Sequence, residues 1–422
     1  MPPHRFESLV ESITLEVDGR AVPALEGESV ALALLAHGRL VFGRSAKYHR
    51  PRGATCLSGR CDGCLMRVDG RPNRRTCRVP ARDGMKVETQ NVVGSADADL
   101  LSVTDWFFPK GMDHHHMFTR FGGLNRTMQK VARRIAGLGE LPEEIPPSTP
   151  LRRLTPEVLV VGGGPAGHAA ARAAQQAGAH VHLVTEGVGH PQNGLDCDLG
   201  TTVVAAYAGA DAPGGLALLA LSQADELTLF LPRVVVLATG LVRGSLLFEG
   251  NDHPAVFTAD AALRALHGNV SLGQRPVLVG RPGDRAAALR QSFAVRGIDL
   301  RGPINPNAIA GISGRKRLKA VRLKDGRQME TDALLVDAPA SAAYELAGQL
   351  GANVQFDGSG FFVVPTDDHG TISTRAFVCG GLVGARKRQR AIAQGAAAGR
   401  AAGRRVQRLA RTEEPTRVEK PT

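Results

Sequence analysis

The chain has 422 residues and few aromatic rings: one Trp, three Tyr and 14 Phe. That leaves little for nucleobases to stack on, and no nucleic-acid recognition motif is present. The excess of 52 Lys and Arg over 40 Asp and Glu is therefore not read as a nucleic-acid signature. Long apolar runs are missing as well, and none approaches the roughly 20 residues of a membrane span. Residues 1–11 are polar and include Pro2, Pro3 and His4, with no apolar stretch behind a basic start. No secretory leader is read there, and the expected compartment is the cytoplasm. Cysteine is scarce, six in all, and unevenly placed. Four of them crowd into residues 56–77 while Cys197 and Cys379 stand alone, which is metal-site spacing and excludes a disulfide framework.

What is present divides the chain. Residues 13–20 (ITLEVDGR) alternate apolar and polar, Asp18-Gly19 can turn, and 21–25 can return as the second strand of a hairpin. Glu28 and Ser29 precede an apolar run that stops at Gly38, the start and stop signals of a helix. Two strands, a helix and a cysteine-bearing loop are the order expected of an α+β, β-grasp ferredoxin-like domain, placed at 10–95. Residues 96–153 form a weaker connecting segment with Trp106, Phe107 and Phe108, a helix around 125–136 and a proline-rich linker over 142–150. His114, His115 and His116 are adjacent, and neighbours on a regular element cannot all face one ion, so a metal role ranks low for them.

At Glu157 the pattern changes to VLVV (158–161), GGGPAG (162–167), an Ala-rich helix to Gly178 and VHLV (181–184), a β-α-β unit of dinucleotide-binding length. Strands follow at 202–206, 216–221, 227–230 and 234–237, then an α/β stretch, a strand pair within 354–364, a strand at 376–379 and a closing Ala- and Gly-rich helix. The expected second fold is a shortened α/β Rossmann-like flavoprotein domain of the two-dinucleotide-binding type. It takes 154–253 and 346–411, with an inserted NAD-domain-like segment at 254–345 and a tail at 412–422.

Cys56-x4-Cys61-x2-Cys64, followed by Cys77, matches the plant-type [2Fe-2S] pattern, in which a tight loop folds over the cluster and a fourth thiolate arrives from a neighbouring strand. Gly53, Gly59 and Gly63 suit a backbone that must pass close to sulfur with free amides. Zinc is the alternative, although it favours two CxxC knuckles and only Cys61/Cys64 forms one; a bare thiol site is the third reading. From Arg39 to Arg82 there are 12 Lys or Arg against Asp62 and Asp69. Such surroundings would raise the potential of an anionic cluster, or serve as a docking surface.

Gly162, Gly164 and Gly167 form GxGxxG after a predicted strand and at the mouth of a predicted helix, so a pyrophosphate would sit on the helix N-terminus, with Pro165 and Ala166 in its first turn. The acid that should accept the ribose hydroxyls is replaced by Thr185, and Glu186 follows one residue late, starting on the opposite face. A second glycine motif at 277–280 continues as Arg281-Pro282-Gly283, only a remnant, so hydride uptake from NAD(P)H is not expected.

GRSAKYHRPRG (43–53), the four cysteines, AGLG (136–139), VLVVGGGPAG (158–167), LATG (237–240) and GNDHP (250–254) occur in that order. Together they resemble the α subunit of heterotetrameric sarcosine oxidase and of the related hydrogen cyanide synthase, opine and hydroxyproline dehydrogenase complexes, here with a fused [2Fe-2S] ferredoxin-like domain. The resemblance implies an oxidoreductase assembly acting on CH-NH or CH-NH2 donors in which this chain holds no catalytic residue. An amine-oxidase-type flavoprotein β subunit would oxidise the amino acid or amine. This chain would relay electrons through the cluster and bind FAD or another adenine dinucleotide or nucleotide, with FMN at a subunit interface. Thr239 and Gly240 of LATG would join Gly162, Gly164, Pro165, Ala166, Gly167 and Glu186 at the dinucleotide. A respiratory-chain acceptor would place the complex against the inner face of the membrane. Two departures accompany the match: the middle stretch, 187–233, is shorter than in relatives, and the late Gly-Asp reads Cys379-Gly380-Gly381. They point to a vestigial flavin site, and two rival readings stand beside the first, a self-contained NAD(P)H-dependent flavin and iron-sulfur reductase and an assembly scaffold with a vestigial flavin domain. Arg386–Arg411 holds nine Lys or Arg and no acid, a solvated helix face or a contact with a partner or an anionic membrane.

Overall fold

The computed structural model describes residues 3–6, 12–45, 50–92, 123, 148–187, 194–209 and 215–413. The expected helix at 125–136, the histidines at 114–116, AGLG and positions 46–49 lie outside the described residues.

The first strands, β1 (Ile13–Val17) and β2 (Arg20–Ala24), form an antiparallel hairpin. Asp18 and Gly19 both have positive φ, 47° and 75°, as a two-residue turn between twisted strands demands. Helix α1 (Val30–Ala36) starts where the Ser29 hydroxyl accepts the Leu32 amide at 3.3 Å, and it buries Val30, Leu34 and Leu35. Strands β3 (Leu65–Val68), β4 (Arg71–Arg75) and β5 (Lys86–Glu88) complete a sheet ordered β2-β1-β5-β3-β4, with β5 parallel to β1, the mixed pairing of a β-grasp.

The chain then leaves this core. Strands β6 (Leu151–Leu154) and β7 (Val158–Val161), helix α2 (Pro165–Gln176), β8 (Val181–Val184) and β9 (Asp196–Asp198) open a doubly wound domain. Strands β10 (Thr201–Ala208), β11 (Leu216–Ser222), β12 (Leu227–Phe230), β13 (Val234–Leu237) and β14 (Leu241–Arg243) follow. An inserted parallel sheet comes next: β15 (Val256–Thr258), α3 (Ala259–His267), β16 (Pro276–Val279), α4 (Asp284–Ala294), β17 (Arg301–Ile304) and β18 (Ala333–Val336), ordered β15-β18-β16-β17. The chain returns through β19 (Ala340–Ala342), α5 (Glu345–Gln349), the hairpin β20 (Asn353–Phe356) and β21 (Phe361–Val364), β22 (Ala376–Val378) and α6 (Arg388–Glu413).

Two compact units result: residues 1–146 with 244–338, and 147–243 with 339–422. The inserted stretch runs 244–338, where the sequence suggested 254–345, because β14 pairs antiparallel with β19 and keeps both strands in the second unit. In the first unit a continuous hydrophobic core joins Leu15, Leu34, Phe42 and Met66 of the β-grasp to Phe257, Val277 and Leu334 of the inserted sheet. Arg5 and Glu28, an ion pair at 2.7 Å and each 8% exposed, reinforce that seam, and the adjoining strand His4–Arg5 pairs with Val270–Ser271. In the second unit the parallel order β9-β8-β7-β13-β22 is that of a dinucleotide-binding sheet, and α2 and α6 cover one face. Among the described residues no helix is long and apolar enough to cross a membrane.

Candidate functional site

Register brings the cysteines together. Leu65 at the start of β3 pairs with Arg75 at the end of β4, so Cys64, just before one strand, and Cys77, just after the other, stand side by side. Thr76 locks this end: its amide and its hydroxyl both donate to the Cys64 carbonyl, at 3.1 and 2.8 Å. The loop carrying Cys56 and Cys61 curls back over the same spot through left-handed Leu57 (φ 46°) and Gly59 (φ 74°). This turns two amides toward sulfur, Ser58 N–H to Cys56 Sγ at 3.4 Å and Gly59 N–H to Cys77 Sγ at 3.2 Å. Gly63 has no alternative, because a Cβ there would stand 2.0 Å from the Gly53 carbonyl.

The four thiols influence one another's protonation in the order Cys61, Cys56, Cys77, Cys64. Hydrogen bonds from Cys61 and Cys77 pull the Cys56 thiol far below its ordinary range, and one from Cys77 brings Cys64 down to about 7. Cys61 and Cys77 are pushed up in return, as donors to Cys56 and, for Cys77, to Cys64 as well. Thiolates held ready beside thiols are the donor set a metal centre displaces protons from. Among the described residues no three His, Cys, Asp or Glu side chains are already gathered round a single ion. Four thiols from one loop and two paired strand ends suit two irons, each taking two thiolates. Cys56, Cys64 and Cys77 are buried and Cys61 is half-buried, which leaves one side of the site open. The Arg78 side chain lies across Gly59, whose Cβ would meet its Cγ at 2.9 Å.

Two sequence motifs some 200 positions apart meet beside this loop. Arg50 of GRSAKYHRPRG pairs with Asp252 of GNDHP at 2.9 Å, and Gly53 packs so tightly on Pro254 that a Cβ would come within 2.8 Å. One residue before Cys56, the Thr55 carbonyl accepts the Thr258 amide at 2.9 Å, so the cluster loop caps edge strand β15. No single motif signalled this joint; it required the fold.

The dinucleotide motif is intact at its phosphate end. Gly162 (φ 112°) follows β7, Gly164 is the N-cap of α2 with open space where its Cβ would be, and Pro165 takes the first helical position. Gly167 lies against Gly162, where a Cβ would meet the carbonyl oxygen at 1.7 Å, and Ala166 is buried against α6. The other expected contacts are altered. Thr185 Oγ1 would sit 2.7 Å from a Cβ on Gly163 and accepts the Gly187 amide at 3.2 Å, so it leans over the glycine loop; Glu186 beside it is half-buried. Thr239 donates its hydroxyl to the Ala343 carbonyl at 2.7 Å, and Gly240 (φ 76°) accepts the Ala343 amide at 3.0 Å, tying both to the end of β19. Gly381, where an acid was expected, faces Gly240 and Leu241 so closely that a Cβ would be 2.8 Å from the Leu241 side chain. The phosphate cradle fits a dinucleotide, and the Gly381 corner does not admit the acidic side chain expected beside a flavin.

The glycine remnant after β16 is occupied by charge. Arg285 reaches Asp337 at 2.7 Å and Asp260 at 2.5 Å, bridging the carboxyl ends of β15, β16 and β18, where an open α/β sheet binds its ligands. The isolated cysteines have no such company. Burial pushes the Cys379 thiol up to about 12, and burial with the Asp198 and Asp196 charges raises Cys197.

Residues 10–92 match the family model of a 2Fe-2S iron-sulfur cluster binding domain. The α subunit of sarcosine oxidase from Rhizobium meliloti (strain 1021) is 30% identical over 364 residues, 74% of this chain and 36% of that one. The hydrogen cyanide synthase subunit HcnA from Pseudomonas aeruginosa is 39% identical over 79 residues, 19% of this chain and 75% of that one. The chain thus spans about a third of the length of the sarcosine oxidase α subunits it matches. Among solved structures, an L-proline dehydrogenase chain from P. horikoshii superposes with a TM-score of 0.72 at 22% identity, covering 100% of this chain and 81% of that one, which establishes a shared fold.

Proposed function

From a chain that belongs to the sarcosine oxidase α-subunit family with a fused [2Fe-2S] domain, we propose an electron-transfer subunit of a multi-subunit, flavin-dependent amino-acid or amine dehydrogenase or oxidase. Its partner is an amine-oxidase-type flavoprotein β subunit that carries the substrate pocket. The four cysteines that one loop and the ends of β3 and β4 gather under two amide donors carry this reading. Cys56, Cys61, Cys64 and Cys77 hold a [2Fe-2S] cluster, which when bound supplies one-electron transfer, the step down from a two-electron flavin.

The chain's own residues then do three things. The Ser58 and Gly59 amides stabilise negative charge on sulfur, and the arginines around the loop add to that effect. The Thr55–Thr258 and Arg50–Asp252 contacts fix the loop on the inserted sheet. Half-buried Cys61 leaves the side through which electrons pass. Gly162, Gly164, Pro165, Ala166 and Gly167 cradle the pyrophosphate of an adenine dinucleotide, FAD being the first candidate, with Thr185 or Glu186 at the ribose.

Arg285 and its two aspartates speak against the self-contained NAD(P)H reductase, because a nicotinamide dinucleotide would bring its phosphates up to two carboxylates. The test is anaerobic purification with iron, sulfide and released nucleotide quantified, followed by titration under visible absorption. The proposal expects about two irons per chain, no bleaching by amino acids or NADH alone, and bleaching by amino acid once the flavoprotein partner is added. Bleaching by NADH alone supports the reductase; amino-acid oxidation by the lone chain, or zinc in place of iron, sinks the proposal.

A further inference from the structure

We propose that the outer face of α6 docks onto a bilayer surface rich in anionic phospholipid headgroups. The two faces of this 26-residue helix are opposites. Inward, a Cβ on Gly395 would stand 2.1 Å from the Ala166 carbonyl and one on Gly399 2.1 Å from that of Ala170, so α6 lies backbone to backbone on α2. Ala398, Ala402 and Val406 are buried on the same side. A helix seated this way cannot roll, and its outer face is held in one direction.

That face carries Arg390, Arg400, Arg404, Arg408 and Arg411, all exposed, with Ala393 and Ala397 between them. At 3.6 residues per turn they share one sector, a straight line about 31 Å long at 1.5 Å per residue. The sequence from His369 to Thr412 contains no Asp or Glu. The ion pair of this region, Arg386 with Asp357 at 3.5 Å, lies off the stripe, and among the described residues the five arginines make none. Among the described side chains the line therefore carries charge of one sign.

Its shape and composition select the occupant. A protein partner needs an apolar anchor at the centre of the contact, and this sector offers only the methyl groups of Ala393 and Ala397. Duplex phosphates follow a curved path that a straight line leaves after a few contacts, and no aromatic side chain is interleaved for stacking. A plane of headgroups meets every arginine at once. With no apolar side chain larger than a methyl on the sector, the helix lies on the bilayer and does not enter it.

The experiment is flotation of the full chain with vesicles of phosphatidylcholine alone or with about 30% phosphatidylglycerol. Expected are binding to the anionic vesicles alone and a steep fall between about 50 and 300 mM salt. At roughly fivefold per basic residue, the triple variant R400Q/R404Q/R408Q should lose on the order of 100-fold in partitioning. The variant R400K/R404K/R408K should retain it, and unchanged far-UV dichroism and visible absorption show that both variants remain folded. Failure to bind anionic vesicles at low salt overturns the proposal. So do wild-type binding by the glutamine variant, which would move the contact to the arginines around the cluster loop, and tighter binding to a short DNA duplex at equal salt.

Discussion

The cluster loop and the dinucleotide loop are built alike, with glycines pressed against carbonyl oxygens: Gly63 on Gly53 in one, Gly167 on Gly162 in the other. They differ in what else survives. At the cysteine site all four expected thiols are present, and the loop is reinforced by amides and by Thr76. At the dinucleotide the phosphate cradle persists, while Thr185 and Gly381 stand where the resemblance implies acids for a ribose and a flavin tail. Cysteine ligands serve the metal, so their presence speaks for a ligand. Gly167 serves the packing of α2 on the sheet with or without a nucleotide, so its presence speaks first for the fold.

Each of the following expected outcomes tests that contrast. The largest effect belongs to Cys61→Ser, which should abolish the visible absorption of the purified chain. Because metal binding is also folding energy, the first unit's thermal midpoint should fall by about 10 °C or more; an unchanged spectrum would refute the ligand assignment. Next is Gly167→Ala. A Cβ 1.7 Å from an oxygen should cost on the order of 3 kcal/mol in thermal unfolding even without nucleotide. A variant that melts normally and loses only nucleotide would break the comparison.

Thr185→Glu should sharpen it. A restored carboxylate at the end of β8 is expected to tighten an adenine dinucleotide about tenfold by calorimetry, near 1.4 kcal/mol. No gain would mean that the corner closed by Gly381 governs binding.

The smallest effect is electrostatic. Burial would raise the Asp198 carboxyl, but His182, 3.5 Å away, and the Arg152 guanidinium outweigh it and hold the carboxyl below its usual range. Its contribution to stability is therefore complete above the ordinary carboxylate value of about 4 and is lost as pH falls through the lowered one. In acid titration followed by dichroism, Asp198→Asn should flatten that decline in the second unit and leave the cluster-bearing unit's decline unchanged.

Much of the site was legible because it is local. The cysteine spacing, the Asp18-Gly19 turn, the Ser29 cap and the strand and helix around Gly162 each occupy a few consecutive residues, where backbone geometry leaves few choices. The sequence also named GRSAKYHRPRG and GNDHP without saying why they matter; Arg50 on Asp252 and Gly53 on Pro254 supply the reason. Less legible was the region after Ile304, expected as plain α/β, where the structure adds a three-stranded antiparallel sheet (Ile309–Ser313, Ala320–Leu323, Gln328–Glu330). Its strands are short, and their pairing rests on turns that residue type alone does not specify.

By itself, then, the sequence determined the four-cysteine spacing of a 2Fe-2S domain and the strand-glycine-helix turn after β7, since both lie within a few consecutive residues. Only the tertiary structure decided that 244–338 shares its core with the β-grasp, that Arg285 bridges the aspartates at the second glycine motif, and that Gly381 is walled in by Gly240 and Leu241. Each depends on which buried faces meet across stretches of roughly 50 to 300 residues, and hydrophobic burial, being non-directional, leaves that choice to the packing of the whole chain.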